Sequence, residues 1–175
     1  MSRSMLLLSM LLAVLSLGAC ESSDEDAGDV GKKVAAPKAA LAPPKSSEDK
    51  DWKPYLGEVA SRHQAGVTDR VYAYYLPMNS TVPTPGDAEN RSQFDRQLEN
   101  VTNVLTRTVL PGNMLVFGSP DSAKMGDLVL AAFSGAKPDA LAGSQVLFIG
   151  SSADSPRVKE ASEKVGAKYI FVETK

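Results

Sequence analysis

Met114-Leu115-Val116-Phe117-Gly118-Ser119-Pro120-Asp121-Ser122 decides the fold class. Its four leading apolar residues show no polar alternation, so a strand here must be buried on both faces, as in a helix-covered parallel sheet. A Gly-Ser turn and an Asp/Ser pair follow. Met125, Leu128, Val129 and Ala132 then recur at helical spacing across 121–134. The same pattern returns at Leu147-Phe148-Ile149-Gly150-Ser151-Ser152-Ala153-Asp154-Ser155, with one extra residue in the turn. Two successive strand–helix units need the same turn and cap chemistry, so the likeness does not imply duplication.

Outward from this centre, Val71–Leu76 is rich in strand formers and ends at Pro77, and Tyr169–Val172 closes the chain as a last strand. Helices are expected between them. Over 91–109, Phe94, Leu98, Val101 and Leu105 form one stripe opposite Arg96, Glu99, Asn103 and Arg107. A helix over 156–165 takes Ser155 as N-cap and Pro156 in its first turn, with Gly166 just past its end. Trp52, Tyr55, Leu56 and Val59 mark a first helix with Asp51 as cap and Gly66 as stop. The order αβαβαβαβ with right-handed crossovers gives an α/β three-layer sandwich with a small, mostly parallel four-stranded sheet. Strand order is not encoded in apolar runs; 2-1-3-4 is the expectation.

The chain has 175 residues, 43% of them hydrophobic and 23% charged, which suits one globular domain. That domain is expected over 49–175. No basic cluster tracks a phosphate backbone, so nucleic acid is not an expected partner. Residues 20–48 differ in composition. Glu21, Asp24, Glu25, Asp26 and Asp29 give an acidic start, and a Lys/Ala/Pro stretch follows with Pro37, Pro43 and Pro44. Such a segment cannot offset its ordering entropy by burial, so it is expected to be a disordered tether. As a flexible coil, about 28 residues span roughly 30 Å.

Ahead of the tether, Arg3 precedes the apolar run Met5–Ser16, and Leu17-Gly18-Ala19-Cys20 completes the leader. A run of about a dozen apolar residues is shorter than the roughly 20 that span a bilayer. The segment resembles the signal peptide of bacterial lipoproteins, in which residues 1–19 would be removed. The resemblance implies that Cys20, the single cysteine, is acylated on sulfur and anchors the chain to a membrane of the cell envelope. Losing Arg3 with the leader leaves 18 basic against 21 acidic side chains. One acyl chain gives marginal binding at about 0.8 kcal/mol per buried CH₂, so the two or three acyl chains that the resemblance implies, palmitate among them, should hold the protein permanently. Within the lipoprotein class that the leader resembles, an aspartate just after the cysteine marks inner-membrane retention. Glu21 and Ser22 stand here instead, so the resemblance implies the outer membrane if the source is Gram-negative.

Ligands of an open parallel sheet bind beyond the carboxyl ends of its strands. Here that rim comprises 77–90, 118–121 and 150–155. Ser119 and Ser151 lie in Gly-Ser turns that offer backbone N–H groups to an anion. Asp121 and Asp154 stand where such an anion would sit and serve equally as helix caps. Arg91 and Arg157 could reach the same end and hold a carboxylate or phosphate. The first loop, Pro77 to Asn90, exceeds the usual 2–6 residues of such connections. Tyr72, Tyr74 and Tyr75 with Trp52 could line an aromatic surface for glycans or a partner, although Tyr72 and Tyr74 share a face by alternation and core packing under a helix suits them better.

No phosphate-binding, dinucleotide or G-x-S-x-G signature occurs. His63, the single histidine, lies at the end of the first helix. With Cys20 acylated, no histidine–cysteine metal site or Cys-His dyad can form, and no metal or cofactor is expected. Two functional classes result. One is a non-enzymatic, lipid-anchored domain that binds a protein or another envelope component. The alternative is a small-molecule module taking an anionic ligand at the rim or, with less support, an enzyme.

Overall fold

A computed structural model describes residues 41–174 apart from Thr108. The leader, Cys20 and residues 21–40 of the tether lie outside the described residues. Ala39–Lys175 constitutes one compact unit. Its elements run α1 (Asp49–Arg62), β1 (Val71–Tyr75), α2 (Gln93–Thr106), β2 (Met114–Gly118), α3 (Ser122–Ser134), β3 (Gln145–Gly150), α4 (Ser155–Lys164) and β4 (Lys168–Glu173). No helix among the described residues is long and apolar enough to cross a membrane.

The fold is the expected small α/β sandwich, and all three strand pairings are parallel. The strand order is β1-β2-β3-β4, not 2-1-3-4. Each crossover steps one strand in the same direction. Right-handed crossovers therefore place α2, α3 and α4 on one face. Helix α1 precedes the first strand, makes no crossover, and takes the other face. The central strands β2 and β3 are buried at every residue, as their unalternated apolar runs require.

Two hydrophobic clusters follow. Under α2–α4, Leu115, Phe117, Val146 and Phe148 meet Val101, Met125, Leu128, Val129 and Phe133. Tyr74 stacks on Phe117 at 5.0 Å, and Phe133 meets the same ring edge-on at 5.9 Å. Under α1, Met114, Val116, Leu147 and Ile149 meet Trp52, Tyr55, Leu56 and Val59. Full burial of each such side chain contributes about 1.5–3 kcal/mol. Tyr72 and Tyr74 share the three-helix face, and Trp52 is 5% exposed, so these aromatics pack the core.

The ordered unit starts before residue 49. Leu41 packs against the α1 cluster, Trp52 Nε1 donates to the Ser46 carbonyl at 2.8 Å, and the Ser46 hydroxyl donates to Asp51. Asp51 therefore lies in the first turn of α1, and Glu48 holds the N-cap position. Helix α1 ends at Arg62 with His63 as C-cap, while Gly66, at φ +85°, lies in the turn beyond. Helix α2 is shorter than 91–109 because Ser92 and Asp95 close a capping box on its first turn. In α4, Ser155 is the first helical residue rather than the cap.

Candidate functional site

The carboxyl ends of the strands carry three clusters, each built around a turn. In the first, after β2, Ser119 Oγ donates to the Leu76 carbonyl at 2.8 Å and accepts the Asp121 N–H at 2.9 Å. Asp121 caps α3 by accepting the Lys124 N–H at 3.0 Å. Ser119 is 1% exposed, so this hydroxyl ties the β1 exit to the β2 turn out of reach of solvent.

The second cluster joins the starts of α3 and α4. Ser122 Oγ donates to Asp154 Oδ2 at 2.7 Å and accepts the Ser151 N–H at 2.7 Å. Ser151 Oγ accepts the Ala153 N–H at 3.2 Å. Arg157 spans the helices: Nη1 donates to Asp127 Oδ1 at 2.7 Å, and Nη2 to Asp154 Oδ1 and the Ala123 carbonyl, each at 2.8 Å. Gly126 admits the guanidinium, since a Cβ there would stand 2.5 Å from Nη2. Asp154 occupies the N-cap position of α4 without a capping bond because its carboxylate faces Ser122 and Arg157 instead. The Arg157 hydrogen bond, more than any other cause, holds the Asp127 carboxyl below its ordinary range. Arg157 is correspondingly raised, first by Asp127.

The third cluster organises the long loop after β1. Asp87, whose side chain is 10% exposed, accepts the backbone N–H groups of Glu89 and Arg91 at 3.0 and 3.1 Å and pairs with Arg96 at 3.2 Å. Arg91 bonds Glu99 at 3.1 Å and Glu89 at 3.2 Å. Pro83 and Ser92 form an isolated antiparallel bridge, and the Phe94 N–H donates to the Ser80 carbonyl at 2.8 Å. The loop is thus folded on itself around one carboxylate. It leaves Met78 45% and Val82 59% exposed.

The structure therefore brings Ser151, Asp154 and Arg157 together, and Ser119 with Asp121 in a neighbouring turn. Arg91 stands apart, within the loop. Each of these groups already holds a partner from the same chain. Arg157 lines a groove of about 770 Å³ between α3 and α4, whose other walls include Leu130, Phe133, Glu160 and Ala161. Arg91, Ser119, Asp121, Ser151 and Asp154 line neither that groove nor the clefts described next.

A cleft that the sequence reading missed lies between α1 and β1. It measures about 380 Å³ and is walled by Asp49, Lys53, Gly57, Ala73, Tyr75 and Gln97. Tyr75 donates to Asp49 at 2.9 Å, Lys53 pairs with Asp49 at 2.8 Å and lies 5.4 Å from the Tyr75 ring centre. Burial first, then the hydrogen bond to Asp49, drives the Tyr75 phenol well above its ordinary value. The helical spacing of Asp49, Lys53 and Gly57 was visible in the sequence, but their meeting with Tyr75 required the position of α1. Another cleft, of about 430 Å³, opens between the ends of α2 and α3, near Leu105, Val109, Ala132 and Ala136.

His63 Nδ1 lies 2.8 Å from the Val59 carbonyl, at the α1 end remote from the three turns. No group of three or more histidine, cysteine or acidic side chains among the described residues could hold a metal ion. No protein family, curated protein or solved structure matches this chain.

Proposed function

We propose that this protein is a lipid-anchored component of a bacterial cell envelope whose small α/β domain binds a protein or another envelope component without catalysing a reaction. One observation carries the binding part. At the strand ends, where a ligand would be sought, carboxylates, hydroxyls and guanidinium groups pair with one another, while the adjoining loop turns Met78 and Val82 outward. Polar groups already paired must break those bonds to take an anion, and apolar side chains held in solvent favour a macromolecular surface. The anchor rests on Cys20 and the leader before it.

Two experiments address the two parts. Cys20→Ala should move the protein out of the detergent phase, and unchanged partitioning would sink the anchor. Met78→Asp with Val82→Asp should abolish co-purification of a partner from solubilised membranes while leaving the circular dichroism spectrum intact. Retained co-purification overturns the docking role of the loop. Inorganic phosphate should leave thermal stability unchanged, and a saturable rise in Tm would favour the anion-binding alternative.

A further inference from the structure

We propose that β4 is a self-complementary edge through which two copies of this chain pair, antiparallel, into a continuous eight-stranded sheet. The surface is distinct from the loop of Met78 and Val82, and the inference does not depend on the lipid anchor.

The ladder fixes which backbone groups are free. The Lys168 N–H bonds the Ser144 carbonyl and the Thr174 N–H bonds the Gly150 carbonyl. Even-numbered residues of β4 therefore bond inward to β3, and Tyr169, Phe171 and Glu173 point their N–H and C=O groups away from the sheet. Among the described residues nothing accepts from or donates to that outward row.

The other edge is managed differently. In β1 the outward row is Val71, Ala73 and Tyr75. The Tyr75 carbonyl is occupied by Gln97 Nε2 at 3.1 Å, and Pro77 follows directly. In contrast, β4 has no proline, no bulge and no charge between its ends. Tyr169, Ile170, Phe171 and Val172 are all half-buried, so each retains surface for a neighbour. A strand of this kind, left open, templates pairing.

The sequence of β4 favours itself as that neighbour. Its outward row has three members, so a two-fold axis perpendicular to the sheet passes through Phe171. Phe171 then faces its own copy, and Tyr169 faces Glu173 of the second chain. These pairs give about six main-chain hydrogen bonds, two for each facing pair. On the α1 face, Ile170 stands opposite Val172 of the second copy, and the reverse, closing an apolar patch across the seam. Lys168 falls beside Thr174 in this register, so no like charges meet. A parallel pairing cannot be two-fold symmetric here. In a parallel ladder each bonded residue lies opposite one that bonds the other way, as Lys168 does opposite Gln145, so two identical outward rows would have to slip by one residue.

The test uses the full-length chain in detergent, with Cys20→Ala removing the only native thiol. Sedimentation should show a concentration-dependent dimer. Glu173→Pro removes an outward N–H at an exposed position without touching the β3 ladder, and should weaken dimerisation at least tenfold with unchanged Tm. For the register, a mixture of Ile170→Cys chains and Val172→Cys chains should form a disulfide dimer, and either variant alone should form far less. A monomer at about 1 mM, where millimolar association would show, overturns the proposal. So does a dimer indifferent to Glu173→Pro, or cross-linking independent of mixing. A chain that dimerises only after residues 21–40 are deleted would also overturn it, since the edge would then belong to the chain's own N-terminal segment.

Discussion

On one face of the sheet three helices bury Leu115, Phe117 and Phe148 completely. On the other, α1 is the one helix among the described residues; it covers Val116 and Leu147 and leaves Val71, Ala73, Ile170 and Val172 wholly or partly in solvent. The difference comes from winding. Three crossovers in one direction place three helices on one side, and the remaining helix is about 10–12 Å wide over strands set about 4.8 Å apart. It can cover the two central strands and cannot cover four. The open margins that result, a cleft beside β1 and a half-buried β4, are where this domain has surface to offer.

The largest expected effect breaks the comparison in the core. Phe117→Ala should destabilise the domain by about 3–5 kcal/mol, because it vacates a fully buried site against Tyr74 and Phe133. Ile170→Ala, at the margin of the one-helix face, should cost about 1–2 kcal/mol. Urea unfolding of the two variants measures the contrast. Equal losses would mean that the sparse face is as well packed as the dense one.

A smaller effect concerns the Arg157 clamp, which binds α3 to α4 on the dense face only. Asp127→Asn should cost about 1 kcal/mol or less at neutral pH, since its side chain is 45% exposed and the pair is screened. The folded Asp127 carboxyl lies below its ordinary value of 3.8. Its contribution is therefore present above that value and is lost as pH falls through the lower, folded one. Acid titration of stability should be shallower in Asp127→Asn than in the natural chain. An unchanged acid limb would show that the clamp adds nothing to stability.

These contrasts also mark what could be read from sequence. The unalternated runs at 114–117 and 146–149 specified doubly covered strands, because buried parallel strands tolerate little else. Asp121 as a cap was legible for the same local reason. The strand order was not: a crossover helix looks the same in sequence whichever neighbouring strand it reaches. Asp154 shows the limit at a single residue. Its position fits a cap, but its carboxylate is claimed by Ser122 and Arg157, 32 and 3 residues away, the first by a contact that only the tertiary fold creates. Residues 41–46 read as tether because they hold two prolines and no aromatic. Their order comes from Trp52 and Leu41 packing at the flank of α1.

The smallest effect sharpens the comparison most closely, because it sets two adjacent tyrosines on opposite faces. Tyr74 points under the three helices, 7% exposed, and its hydroxyl has no partner among the described residues. Tyr75 points toward α1 and donates to Asp49. Tyr74→Phe keeps the ring stacked on Phe117 and removes an unsatisfied buried hydroxyl, so stability should be unchanged or raised by up to about 1 kcal/mol. Tyr75→Phe should lower it by about 0.5–1.5 kcal/mol, since a made hydrogen bond is lost. Burial first, and then Tyr72, pushes the Tyr74 phenol from 10.0 to about 12. A raised value stabilises fully below the unfolded pKa of about 10 and is lost as pH climbs through the folded one. Between about pH 10 and 12 the natural chain should therefore lose stability that Tyr74→Phe retains. If Tyr74→Phe instead costs more than about 1 kcal/mol at pH 7, a buried water holds that hydroxyl, and the dense face is wetter than its packing implies.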